Sequence, residues 1–144
     1  MVILVTADIF ILLYEKEQPK DKTPKFDEYM ISEISDNFTG EIATIDYLSN
    51  DKAEGHRDQI EEEIKKGINF SGSYIVVSWE CGTNCETGVI IDANDGKIYD
   101  LPFDSSCGMD FRVNSNLLVI NSDENCVKDL ASDSIKTKYF VWEK

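Results

Sequence analysis

The residues of this chain whose types and spacing could do chemistry are its four cysteines, Cys81, Cys85, Cys107 and Cys126. Their even number fits two disulfides in an oxidising compartment. Zinc is the alternative, since thiolates are good zinc ligands. Structural zinc sites usually take cysteines in close pairs, however, and only the first pair here is close. The pattern therefore favours disulfides, and we expect no metal and no cofactor.

Cys81 and Cys85 could also be catalytic residues. Thiol–disulfide enzymes place two residues between their cysteines at a helix N-terminus, which lowers the thiol pKa, whereas Cys81 and Cys85 are separated by three residues between predicted strands. A cysteine nucleophile needs a base, and the single histidine, His56, is the one candidate. We interpret His56 as a solvated or helix-capping residue, so we predict no catalytic residues. An enzyme of unknown reaction that uses Cys81 and Cys85 stays the alternative.

The charge of the chain narrows the choice of partners. Fourteen basic and 28 acidic residues give a formal net charge of −14. Nucleic acid is excluded as a partner because phosphate binding requires a basic patch, and anionic lipid surfaces are disfavoured for the same reason. A basic envelope or host protein is electrostatically permitted, and its approach would be steered. The plainer interpretation is that the charge keeps the protein soluble.

The N-terminus predicts export. Residues 2–14 are apolar apart from Thr6 and Asp8, a length below the roughly 20 residues of a membrane span but suited to a signal peptide. Residues 15–22 are charged and contain a proline, as linkers do. We therefore predict an export signal remnant or membrane anchor plus linker over residues 1–22 and a single α+β domain over 23–144. The protein would be periplasmic, secreted or anchored, with membrane contact only through this segment. A buried first strand or helix is the alternative.

The elements that must position the cysteines follow from the side-chain pattern. The spacing predicts a helix over residues 49–66, capped near Ser49 and ended by Gly67, with one narrow apolar face. Alternating residues predict strands near 73–80, 87–93, 97–101, 111–113, 117–120 and 138–143, and Asn94-Asp95-Gly96 predicts a hairpin turn. The expected fold is α+β: an antiparallel β-meander of five to six strands with one surface helix packed on it.

The turn between the first two strands is the candidate binding loop. Gly82, Thr83, Asn84 and Glu86 lie in or beside it. Glycine and asparagine are good turn formers, so the loop should form a rigid tip if Cys81 and Cys85 are joined. The alternative is that it is only the stapled corner of a hairpin.

A longer pattern runs from Asn69 to Phe103. Its residues are Asn69, Phe70, Gly72, Tyr74, Trp79, Cys81, Gly82, Cys85, Gly88, Ile91, Asp92, Gly96, Lys97, Tyr99, Leu101, Pro102 and Phe103. This pattern resembles that of a family of small exported bacterial proteins to which no activity is assigned. The resemblance implies export and a β-rich fold, and it supplies no activity. Glu80 departs from the pattern, where glycine is usual.

The disulfide pairing follows in part from this resemblance, which includes Cys81 and Cys85 as one unit. A turn between them can bring their Cα atoms to about 5.5 Å, the usual disulfide separation. We therefore predict Cys81–Cys85 and Cys107–Cys126, with a crossed arrangement as the alternative. Together these features predict an extracytoplasmic binding or inhibitor-type protein. A structural role in maintaining the envelope is the alternative besides an enzyme.

Overall fold

The computed structural model describes residues 2–5, 11–15, 23–31, 38, 40–126 and 134–143 of the 144-residue chain. Eight strands lie in these ranges: β1 (Val2–Val5), β2 (Ile11–Glu15), β3 (Tyr74–Gly82), β4 (Cys85–Asp92), β5 (Ile98–Asp100), β6 (Met109–Asp110), β7 (Leu117–Ile120) and β8 (Lys138–Glu143). One α-helix, α1, spans Arg57–Ile64. Short 3₁₀ turns occur at Phe26–Tyr29, Tyr47–Ser49 and Glu54–His56.

The strands form two antiparallel sheets. The first has the order β3-β4-β5, and the second has the order β1-β2-β8-β7-β6. The six strands from β3 onward agree with the five to six predicted, and the mainly β, α+β class is confirmed. They differ from the expected meander in one respect, since β3–β5 and β6–β8 are two successive meanders in separate sheets.

The two sheets bury a common core because the side chains of each strand alternate. Tyr74 and Val76 of β3 point inward and meet Phe140 and Trp142 of β8, as the alternation in both segments predicts. The Tyr74 and Trp142 rings meet edge to face with centroids 5.3 Å apart. The opposite face of β3 presents Ile75, Val77 and Trp79 to a second core under α1.

The helix is shorter than the sequence indicated. It begins at Arg57, so the expected start near Ser49 is wrong. Asn50 is the reason: its side chain accepts a bond from the Lys52 N–H, which forms a local turn, and the chain reaches α1 only after the 3₁₀ turn at Glu54–His56. Ile60 is fully buried against the sheet, so the predicted packing of a surface helix is confirmed.

The N-terminal prediction falls largely outside the described residues. The backbone of Val2–Val5 and Ile11–Glu15 forms a hairpin whose second strand pairs with β8, so this part matches the alternative of a first strand. The export signal or anchor over residues 1–22 stays a prediction. Within the described part of the chain, no helix is both long and apolar enough to cross a membrane.

Candidate functional site

The candidate binding loop is the tip of the β3–β4 hairpin. The two strands are in register from Tyr74 opposite Asp92 to Gly82 opposite Cys85, with an irregularity between Glu80 and Gly82. Thr83 and Asn84 are therefore the two loop residues. Asn84 has φ 51° and Gly82 has φ 146°, both in the positive region that few residue types accept without strain.

The tip extends beyond the hydrophobic core. Residues 80–84 are all exposed, whereas Ile75, Val76 and Val77 at the other end of β3 are buried. A covalent bond replaces packing here, because Cys81 and Cys85 form a disulfide with Cα atoms 5.0 Å apart. The predicted pairing is confirmed, and the second disulfide joins Cys107 to Cys126.

The loop that follows β5 braces the base of the tip. The backbone N–H and C=O of Ser105 bond to those of Glu86, at 2.7 and 2.9 Å, so Ser105 continues the sheet beyond the end of β5. The same loop carries Cys107, whose disulfide to Cys126 has Cα atoms 5.1 Å apart. Both disulfides therefore stabilise one end of the molecule.

Asn121 orders this bracing loop, and sequence reasoning missed it. Its Oδ1 accepts bonds from the N–H groups of Ser106 and Cys107, at 2.7 and 3.0 Å. Its own N–H donates to Gly108, and its φ is 55°. The signal available in the sequence was an asparagine directly after a strand, since asparagine tolerates positive φ and bonds nearby backbone groups.

The hairpin end carries negative charge that no cation among the described residues neutralises. Glu80 and Glu86 lie directly opposite each other on paired strands, an arrangement of like charges that destabilises a sheet. No lysine or arginine occurs between Lys66 and Lys97 in the sequence. Among the described residues, neither glutamate takes part in an ion pair. This end therefore attracts positive charge.

The site is poorly suited to thiol chemistry. Asp104 is the titratable neighbour of the first disulfide, and its carboxylate oxygen lies within 4.8 Å of both sulfur atoms. A carboxylate so close would disfavour a thiolate after reduction, which is opposite to what redox and nucleophilic cysteines need. These three residues are the one potential metal-binding group within the described ranges. Its two sulfur atoms are bonded to each other, so they offer no thiolate ligand.

His56 does not serve the cysteines either. Its ring stacks on Trp79 with centroids 3.9 Å apart and an interplanar angle of 14°. Its Nδ1 is buried and has no hydrogen-bond partner among the described residues. His56 directly precedes α1 but makes no side-chain cap, so its interpretation as a capping residue is wrong, and the residue is half-exposed rather than fully solvated. The reason is the flat, largely buried indole of Trp79 beside it, which the sequence did not place there.

A cleft of about 590 Å³ lies elsewhere on the molecule, and Phe26, Phe111 and Tyr139 are among its lining residues. Lys25 and Arg112 line it together with several carboxylates, so its charge is mixed. None of the predicted loop residues contributes to it, and the loop is a projection rather than a cavity.

Comparisons with known proteins add no name to this geometry: no family model, no curated protein and no solved structure matches the chain. The resemblance to small exported bacterial proteins stays a prediction. The two disulfides do indicate an oxidising, extracytoplasmic compartment, because such bonds form and persist there.

Proposed function

We propose that the protein is an extracytoplasmic binding module that uses the stapled tip of the β3–β4 hairpin to contact a basic segment of another protein. The contact residues are Gly82, Thr83 and Asn84, with Glu80 and Glu86 at the base. Where the partner is an enzyme or a toxin, occupation of its surface would make the module an inhibitor.

The single observation that carries the proposal is the Glu80–Glu86 pair beneath a rigid, exposed tip, which has no ion-pair partner in the described part of the chain. Opposed glutamates reduce the stability of the free protein, so a cation supplied by a partner would remove a repulsion as well as add an attraction. The disulfide and the bracing loop hold the tip in one conformation, which lowers the entropy lost on binding.

The cellular location proposed is the periplasm, the exterior, or the outer face of a membrane to which the N-terminus anchors the domain. The apolar residues 2–14 and the oxidised cysteines support it. Fractionation of cells that carry the native gene with its upstream region should recover the protein outside the cytoplasm. Recovery in the cytoplasm with four free thiols would overturn this location.

Site-specific photo-crosslinking tests the proposed contact. A benzophenone amino acid in place of Thr83 in the full chain should form a discrete adduct with a basic protein in the producing cells. The double variant Glu80→Gln/Glu86→Gln should reduce the yield about tenfold, and added salt should reduce it as well because exposed charges are screened.

The matched control is Glu41→Gln/Asp51→Asn, which makes the same change in net charge at exposed positions. Glu41 lies near Ala43, whose N–H bonds to Ala93 beyond the other end of β4. This control should leave the yield unchanged. An adduct that is equally sensitive to both double variants, or no discrete adduct, would contradict the proposed function.

A further inference from the structure

The outer edge of β3, the side away from β4, leads into the tip. Along one half of this edge the backbone N–H and C=O groups are hydrogen-bonded, and we call that half closed; along the other half, the open half, they have no partner among the described residues. In the closed half, a side chain supplies the hydrogen bonds. Asn69 Oδ1 accepts the Val76 N–H at 2.7 Å, and Asn69 Nδ2 donates to the Val76 carbonyl oxygen at 3.0 Å. Tyr74 is sealed too, because its N–H and C=O bond to Phe70.

The backbone groups of Ser78 and Glu80 point toward the same edge. In an antiparallel pair, successive residues direct their N–H and C=O groups to alternate sides, so positions two and four after Val76 share its side. The hydrogen bonds of β4 lead to the same assignment. Gly88, in register with Ser78, bonds to Leu101 of the segment after β5, and Glu86, in register with Glu80, bonds to Ser105.

No group in the described part of the chain occupies this half of the edge. Ser78 and Glu80 are exposed, and no hydrogen bond to their N–H or C=O groups occurs among the described residues. A row of unpaired backbone donors and acceptors is a template for another strand, which natural edges usually block. The Asn69 side chain blocks the edge at Val76 and does not reach Ser78, two residues farther along β3.

Three carboxylates lie beside the open edge. Asp58, Glu62 and Glu63 of α1 line a cleft of about 420 Å³ together with Gln59, Val77 and Ser78. Glu62 and Glu63 pair with Lys65 and Lys66, one turn farther along. Asp58 and Glu80 enter no ion pair among the described residues.

We propose that the open edge of β3 at Ser78–Glu80 takes an extended, lysine- or arginine-rich segment of the partner as an added strand. Backbone bonds to Ser78 and Glu80 supply the docking, and Asp58, Glu80 and Glu86 supply the preference for basic side chains. A second copy of this chain is a poorer occupant, because it would bring Glu80 and a net charge of −14 against the same charges. This inference rests on the proposed function and specifies its mode of contact.

Synthetic peptides test it on the intact protein. The probe is a capped peptide of about seven residues that alternates lysine and valine. Amide NMR signals of Ser78 and Glu80 should shift on titration and become protected from hydrogen exchange. A peptide of the same charge, N-methylated at alternate residues, cannot form backbone bonds along one edge and should bind at least about tenfold more weakly.

A pair of variants supplies the protein-side control. Ser78→Pro removes the outward N–H without touching the β4 ladder and should weaken the parent peptide about tenfold, whereas Ser78→Ala keeps the N–H and should not. If the proline variant does not fold, the N-methylated peptide still tests independently whether the peptide binds through backbone hydrogen bonds.

Three results would overturn strand addition. They are equal affinity for the methylated peptide, no binding of the parent peptide at millimolar concentration, and sedimentation showing that the edge pairs two copies of this chain. Equal affinity together with a preference for lysine over a glutamate-containing peptide would leave the proposed function intact. Loss of that preference, with no discrete adduct at Thr83, would mean that the proposed function itself fails.

Discussion

The two ends of the β3–β4 hairpin are built from the same two strands, but they differ in whether their polar groups have partners within the protein. At the inner end, polar groups have partners inside the protein: Asn69 closes the edge at Val76, and the Asp92 side chain accepts the Asn94 N–H. At the outer end, the backbone groups of Ser78 and Glu80 that point away from β4 have no partner within the described ranges, and Glu80 faces Glu86. Packing and hydrogen bonds hold the first end, whereas the second is held by disulfides together with the backbone bonds between Glu86 and Ser105.

This difference indicates which polar groups serve the fold and which are available to a partner. A folded chain satisfies its buried polar groups because an unpaired one costs about 1–3 kcal/mol. Groups left unpaired at an exposed, covalently rigid tip incur little of that cost in water. The backbone groups of Ser78 and Glu80 can therefore be used in binding at little cost to stability, whereas the opposed Glu80 and Glu86 side chains do lower the stability of the free protein.

The largest effect expected from this comparison is on the two turn glycines. Gly96 at the inner end has φ 76°, and a Cβ there would collide with the Thr44 carbonyl oxygen, whereas a Cβ on Gly82 would lie 3.9 Å from Cys85 in open space. Gly96→Val should lower the free energy of unfolding by about 4 kcal/mol through strain and overlap together, and Gly82→Val by about 1–3 kcal/mol through strain alone.

Urea unfolding measures both variants, and Gly96→Ala replaces Gly96→Val if the latter does not fold. Gly82→Val with an unchanged unfolding midpoint would show that the tip backbone is not held in its positive-φ conformation.

The second prediction compares the two disulfides. Replacing Cys107 and Cys126 by serine should cost about 3 kcal/mol, because the bond closes a loop of about 20 residues. Replacing Cys81 and Cys85 should cost about 2 kcal/mol, because that loop is short. Denaturant unfolding of both double variants gives the order, and a larger loss at Cys81–Cys85 would mean that the tip supports the core.

The third and smallest effect concerns the pH dependence of the free energy of unfolding. It arises from Tyr74 at the inner end of the hairpin. Burial, with a smaller contribution from Asp92, raises the pKa of Tyr74 well above 10.0. The folded protein therefore retains a proton that the unfolded chain releases above pH 10. Stability should be unaffected below that pH and fall as pH rises beyond it, by at most about 1.4 kcal/mol per pH unit for one proton.

Tyr74→Phe should reduce this alkaline slope. The measurement is the unfolding midpoint between pH 9 and 12, together with tyrosine absorbance, which reports ionisation. Ionisation of Tyr74 in the folded state near pH 10 would show that its ring is not buried.

The sequence predicted the features that depend on local alternation. The faces of β3 and β8 and the turn at Gly96 are confirmed, because they depend on side-chain period and glycine conformation. The disulfide pairing, which was predicted in part from the resemblance, is confirmed as well. The division into two sheets could not be predicted, because a strand pattern contains no information about which neighbour it joins. Asn69 and Asn121 were missed because their partners lie across loops whose path depends on the fold.

The predicted binding loop was placed correctly at an exposed tip, and its importance as a binding surface stays a prediction. The sequence did not indicate that Glu80 lies opposite Glu86, since strand register decides it. It also did not indicate where the edge of β3 opens, since the boundary is set by the reach of the Asn69 side chain.

Residue-resolved amide hydrogen exchange of the free protein tests the central claim, that β3 is closed at one end and open at the other. The Val76 amide should exchange slowly because Asn69 accepts its hydrogen bond, and the Ser78 and Glu80 amides should exchange at nearly the rate of an unstructured chain. In Asn69→Ala, the Val76 amide should exchange as fast as those of Ser78 and Glu80, while the Val77 amide, which is bonded to β4, should still exchange slowly. Ser78 and Glu80 amides as protected as Val76 in the free protein would contradict the claim, because the edge proposed to receive a partner would already be occupied.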